Sequence, residues 1–168
     1  TMREPIKNAQ GSVLVYGLGL GYYAYMISLK EQVSDITIVE RDESVISLFN
    51  EHILPQFENK HKISIIKSDA FDFAQNEMNK NAYDFVFVDL WHDVSDGTEM
   101  YIKMKKYECK LPNSQFSYWI EKSILSAIRV RIFDAMYNGI KEGKLQKSIK
   151  EIEEILNDSY LKEFAKHL

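Results

Sequence analysis

Apolar residues come in short bursts along the first ninety positions. Four runs stand out: Val13-Leu14-Val15-Tyr16, Ile36-Thr37-Ile38-Val39, Ile63-Ser64-Ile65-Ile66 and Phe85-Val86-Phe87-Val88. They are rich in β-branched and aromatic residues and mostly continuous, which is how strands read when helices cover both faces of a sheet. The spacing between them predicts helices over 22–33 and 44–54. In the second, Val45, Leu48, Phe49, His52 and Ile53 fall at helical intervals, Asp42 is placed to cap the start, and Pro55 follows the end. A third helix is predicted over about 71–78.

After Val88 the pattern changes. One more short strand is expected at 116–120. The rest reads as helices over about 99–107, 121–140, 145–156 and 159–167. Leu145, Ile149, Ile152 and Leu156 form one apolar stripe, expected to fold back on the sheet or to pair with another chain as a homo-oligomer contact. Gly139 to Gly143 is a candidate linker. Strands alternating with helices predict a doubly wound, Rossmann-like α/β fold with a mainly parallel sheet of about five strands and right-handed crossovers. We read 1–168 as one domain, with a cofactor-binding α/β core over 11–120 and a helical extension over 121–168.

The 168 residues carry a net charge of −4 and are 45% hydrophobic, which suits one globular domain and gives no electrostatic case for nucleic acid or an anionic membrane. A local excess of Lys and Arg between Glu99 and Arg131 reads first as a solvated helix face. Cys109 is the one cysteine, so no disulfide can form within the chain, in keeping with a cytoplasmic location. The four histidines are scattered and predict no metal site. No apolar run approaches the ~20 residues of a membrane span. Thr1-Met2 is an unusual opening, which raises the expectation of a piece cut from something longer.

In a doubly wound sheet, ligands bind outside the carboxyl ends of the strands. The first strand ends in Gly17-Leu18-Gly19-Leu20-Gly21, and glycine there permits positive φ and close approach of backbone to ligand. A dinucleotide fingerprint would need glycine at Tyr22, so a nicotinamide dehydrogenase is disfavoured. Glu40, 19 residues beyond Gly21, ends the second strand, where a carboxylate can accept both hydrogens of a ribose diol. Asp69 and Ala70 follow the third strand; Asp69 suits either an adenine amino group or a helix cap. Asp89, His92 and Asp93 follow the fourth, where a transfer reaction would take place.

In order and spacing, VLVYGLGLG, VERD, SDAFDF and YDFVFVDLWHD resemble the class I S-adenosylmethionine-dependent methyltransferases, and within them most the spermidine synthase-like branch. The resemblance covers about residues 11–96. It implies that Gly17, Gly19 and Gly21 line the cofactor, that Glu40 holds its ribose, that Asp69 with Ala70 contacts adenine, and that Asp89 lies beside the methionine part. Leu20 stands where spermidine synthases usually carry an acid, and Trp91-His92 replaces small residues of their motif. The first expectation is therefore a methyltransferase using S-adenosylmethionine on a small-molecule acceptor that the sequence does not identify. Asp93 or His92 would be its base. The alternatives are an aminopropyltransferase using the decarboxylated cofactor, and a non-catalytic module of the same fold.

Overall fold

The structure, a computed structural model, describes residues 2–80, 82–91 and 94–165. Five strands form one parallel sheet in the order β3-β2-β1-β4-β5: β1 Gly11–Tyr16, β2 Val33–Glu40, β3 Ile63–Lys67, β4 Phe85–Val88 and β5 Gln115–Tyr118. All of the predicted runs are strands, and the fold is the Rossmann-like α/β class expected. Val13–Tyr16 and Phe85–Val88 are buried at every position, as continuous apolar runs require when both faces are covered. The chain winds outwards from β1 to β3, then returns to the other side of β1 for β4 and β5. The order therefore reverses between β1 and β4.

The chain divides into two compact units, one of residues 1–90 with 106–119 and one of residues 91–105 with 120–168. The first holds the sheet and four helices: α1 Arg3–Asn8, α2 Tyr22–Ser28, α3 Glu43–Leu48 and α4 Ala70–Asn76. Helix α1 lies outside the predicted elements. The Lys30 ammonium donates to the carbonyls of Ile6, Lys7 and Ala9, satisfying acceptors at the end of α1 that have no partner within the helix. Helix α2 stops at Ser28, five residues short of its predicted end, because β2 already begins at Val33.

Asp42 caps α3 as expected, its carboxylate accepting from the Ser44 N–H. The burial pattern of α3 differs from the predicted stripe. Ile46 and Phe49 are buried, while Leu48 and His52 face out. Phe49 sets this phase: its ring fills the space where a side chain on Gly21 would stand. Beyond Leu48 the helix widens into a π turn over Phe49–Ile53, then tightens into a 3₁₀ turn over Leu54–Gln56. Pro55 has no N–H to continue the α-helical ladder, which accounts for the change of pitch.

The second unit is helical: α5 Val94–Lys105, α6 Glu121–Glu142, α7 Leu145–Leu156 and α8 Ser159–Ala165. The two glycines expected to mark a linker do other work. Gly139 lies inside α6 against Ser148 of α7, where a Cβ would meet the Ser148 Oγ at 2.0 Å, and Gly143 ends α6 at φ +64°. Helices α6 and α7 thus form a tight antiparallel hairpin. Its buried residues on α7 are Ser148 and Ile155, whereas Leu145, Ile149 and Leu156 of the predicted stripe are exposed. The expected basic face divides between the units. Lys106 and Lys110 belong to the first; in the second, Lys105 is mostly buried and lies 4.0 Å from Glu121.

Candidate functional site

The glycine turn after β1 closes on itself through a bond from the Gly21 N–H to the Leu18 carbonyl at 2.9 Å. Gly17, Gly19 and Gly21 all have positive φ, at +92°, +53° and +77°. Their surroundings separate them. A Cβ on Gly17 would stand 2.2 Å from the backbone oxygen of Asp89, and one on Gly21 would stand 2.3 Å from the Phe49 ring. Both glycines are therefore required by the protein's own packing. A Cβ on Gly19 would meet nothing within 4 Å. Gly19 is the position where the turn leaves its backbone uncovered by the protein's own packing. Leu18 beside it is buried, and Leu20 is 81% exposed.

Glu40 ends β2, next to that turn. Its Oε2 accepts from the Leu18 N–H at 3.0 Å, and its Oε1 accepts from the N–H groups of Arg41 and Asp42 at 2.8 and 2.9 Å. One carboxylate thus ties the β2 end to the glycine turn. Sequence reasoning missed this bond, since nothing in the spacing says which N–H a strand-end carboxylate will face.

Asp69 follows β3 and caps α4. Its Oδ1 accepts from the Phe71 N–H at 2.8 Å and from the Asp72 N–H at 3.2 Å. Both bonds fall on Oδ1, so the capping geometry is compatible with a further donor at Oδ2. Ala70 is buried as the first residue of α4.

Asp89 follows β4. Its N–H donates to the Tyr16 carbonyl at 3.0 Å, and its own carbonyl closes over Gly17. Burial raises the Asp89 carboxyl above the ordinary carboxylate range. That shift marks a charge the fold does not neutralise by itself. His92 and Asp93 lie outside the described residues. Two basic residues stand at these strand ends: Lys67, which is paired with Glu43, and Arg41, which directly follows Glu40. Among the described residues, no group of three His, Cys, Asp or Glu is placed to hold a metal ion, and no helix is long and apolar enough to cross a membrane.

Glycine turn, Glu40, Asp69 and Asp89 therefore meet at the carboxyl ends of β1 to β4, around the point where strand order reverses. A parallel doubly wound sheet with this strand order defines a Rossmann-like α/β domain. The family model described as the spermine/spermidine synthase domain matches residues 5–110, and the chain belongs to that family.

Solved structures with similar folds include a spermidine synthase from Thermotoga maritima, at 17% identity over 67% of this chain and 39% of that one, TM-score 0.46. A second is a conserved hypothetical protein from Streptococcus pyogenes, at 14% identity over 64% of this chain and 65% of that one, TM-score 0.48. A third is a spermidine synthase solved with the transition-state analogue AdoDATO, at 17% identity over 67% of this chain and 38% of that one, TM-score 0.44. The chain thus spans between 38% and 65% of the lengths of these structures. No curated protein sequence matches it.

Proposed function

We propose that this chain carries the nucleoside-cofactor half of an aminopropyltransferase and binds decarboxylated S-adenosylmethionine at the carboxyl ends of β1 to β4. Membership of the spermine/spermidine synthase family carries the reading. It favours aminopropyl transfer over the methyl transfer that the four strand-end motifs first suggest.

The charges at the site fit the decarboxylated form. The strand-end groups Glu40, Asp69 and Asp89 are all acidic, Lys67 is already paired with Glu43, and Arg41 beside Glu40 is exposed. An ammonium arm is welcome in such surroundings; the α-carboxylate of S-adenosylmethionine would need a cation there. In this reading Gly19 lets the nucleoside approach the backbone, Glu40 accepts from the ribose diol, Asp69 Oδ2 accepts from the adenine amino group and Ala70 lines the ring. Asp89 holds the ammonium of the aminopropyl arm. The bound sulfonium supplies a carbon activated for displacement. Asp93 is the proposed proton acceptor for the attacking amine, with His92 as its alternative. The amine acceptor is proposed only as a class.

Calorimetry with three ligands tests the reading. Decarboxylated S-adenosylmethionine should bind at least about tenfold more tightly than S-adenosylmethionine, a difference of about 1.4 kcal/mol. Equal or tighter binding of S-adenosylmethionine would return the site to methyl transfer. Folded protein that binds neither of these nor S-adenosylhomocysteine would leave a non-catalytic module of the same fold. An assay for aminopropyl transfer to putrescine then asks whether this chain holds a complete acceptor site.

A further inference from the structure

The Glu40 carboxylate is largely committed to the protein's own backbone. Its Oε1 accepts from the Arg41 and Asp42 N–H groups at 2.8 and 2.9 Å, and its Oε2 accepts from the Leu18 N–H at 3.0 Å. An ionised carboxyl offers about four lone-pair sites, two on each oxygen. Both sites on Oε1 are therefore spent, and Oε2 keeps one. A ribose presents two neighbouring hydroxyls, so two donors would compete for a single acceptor site.

The surrounding bonds hold this arrangement in place. The Glu40 carbonyl accepts from the Ser68 N–H at 3.0 Å, and the Val39 carbonyl accepts from the Gly17 N–H at 2.9 Å. The end of β2 is thus tied on one side to the segment after β3 and on the other to the glycine turn. The donors to Oε1 are the next two residues of the chain, so that grip is local and does not depend on the turn. The donor to Oε2 is the opposite case. Leu18 is buried, and its N–H, parted from Oε2, would lose its acceptor where water is scarce. A hydroxyl that displaced it would exchange one bond to the carboxylate for another and gain nothing.

The Leu18 bond also has a consequence for the ligand. Leu18 lies between Gly17 and Gly19, so the bond helps to fix the shape in which Gly19 is left uncovered. Glu40 is in this way a positioning residue for the turn before it is a contact for anything bound there.

We infer that Glu40 braces the glycine turn through Leu18 and receives a ribose through one hydroxyl only, at Oε2. The inference rests on the reading of this site as a nucleoside seat, and it narrows the expectation that one carboxylate accepts both hydrogens of the diol. It also sets the ligand class. Of two nucleosides, each lacking one of the vicinal hydroxyls, one keeps the whole of its bond to Glu40 and the other loses it. The site therefore admits ribonucleosides altered at one of the two positions and rejects those altered at the other.

Titration calorimetry with adenosine, 2′-deoxyadenosine and 3′-deoxyadenosine tests this, with decarboxylated S-adenosylmethionine titrated in parallel. One deoxynucleoside should bind within about threefold of adenosine. The other should bind at least about tenfold more weakly, as the loss of a bond to a charged acceptor implies. In Glu40→Ala the difference between the two should disappear. Hydrogen exchange at the Leu18 amide supplies a readout that needs no ligand: it should be slow in the parent, fast in Glu40→Ala, and no faster in the parent when the decarboxylated cofactor is bound. Equal losses for the two deoxynucleosides, with the decarboxylated cofactor still bound, overturn this inference and leave the proposed function standing. A Leu18 amide that exchanges as fast in the parent as in Glu40→Ala, or that is released on binding, overturns it as well. Folded protein that binds neither adenosine nor the decarboxylated cofactor overturns both this inference and the proposed function.

Discussion

An alanine methyl at Gly17 would collide with the Asp89 backbone oxygen, and the residue would also be held at φ +92°. Neither cost can be relieved by turning a side chain. Gly17→Ala should therefore lower folding stability by about 3 kcal/mol or more, measured by urea unfolding. Gly19→Ala carries the φ penalty alone, about 1 kcal/mol, because its methyl meets no protein atom. Its larger effect should be on the nucleoside: cofactor affinity should fall at least about tenfold in calorimetry, with a nearly native unfolding curve. The sequence marks three glycines alike; only the positions of Asp89 and Phe49, brought in from distant segments, divide them into two that packing requires and one that it leaves open.

Asp89 gives a second test at this scale. Its carboxyl is raised by burial, so the folded state favours the protonated form. The stability this group contributes is present below its unfolded value and is lost as pH rises through the raised folded value. The ionised side chain is therefore a liability to folding, and the proposed ammonium ligand would offset it. Asp89→Asn should unfold at the same or a higher temperature than the parent, yet bind the decarboxylated cofactor at least about tenfold more weakly. In the parent, affinity should fall as pH is lowered through the raised value, and that slope should vanish in the variant. A side-chain pKa is not legible in spacing; what the spacing did show is an acid at the end of β4.

Elements were easier to read than their limits. Continuous apolar runs located β1 and β4 because burial on both faces leaves no polar alternation to confuse with a helix, whereas β3, an edge strand with no buried residue, was marked by its β-branched run alone. The stop of α2 and the π turn after α3 were not legible, since they depend on where β2 starts and on how Phe49 fills the space over Gly21. Asp69 was equally readable as cap or ligand contact, and its geometry accommodates both. Asp69→Ala should cost about 1 kcal/mol through the lost cap, whereas Asp69→Asn should keep most of that stability, seen in parallel thermal melts. The α6–α7 seam makes its own demand. Gly139→Ala would press a methyl into Ser148 and should destabilise the hairpin by about 1–3 kcal/mol, read from the loss of helicity on heating.

For the whole molecule, the proposed cofactor would link binding to folding through the first unit, where every proposed contact in the described residues belongs. At a hundredfold excess over its dissociation constant, the decarboxylated cofactor should add about 2.7 kcal/mol to stability. Hydrogen exchange should show that gain in amides at the carboxyl ends of β1, β2 and β4. The sequence, read as one domain with a helical extension after residue 120, had no means of showing that 91–105 belongs with the later helices. That grouping rests on contacts such as the bond from the buried Tyr101 hydroxyl to Glu121, twenty positions away, which no local pattern announces.

The grouping also sets an order of events as the polypeptide is made. Synthesis releases β1 to β4 first, then a segment belonging to the helical unit, and only afterwards β5, the edge strand of the sheet. While the ribosome is still extending past residue 90, the outer side of β4 lacks its neighbour and the nascent sheet ends in an unpaired, wholly apolar strand. A nascent chain stalled in that interval would be a chaperone client and a seed for aggregation, and the hazard would end when residues 115–118 emerge and dock.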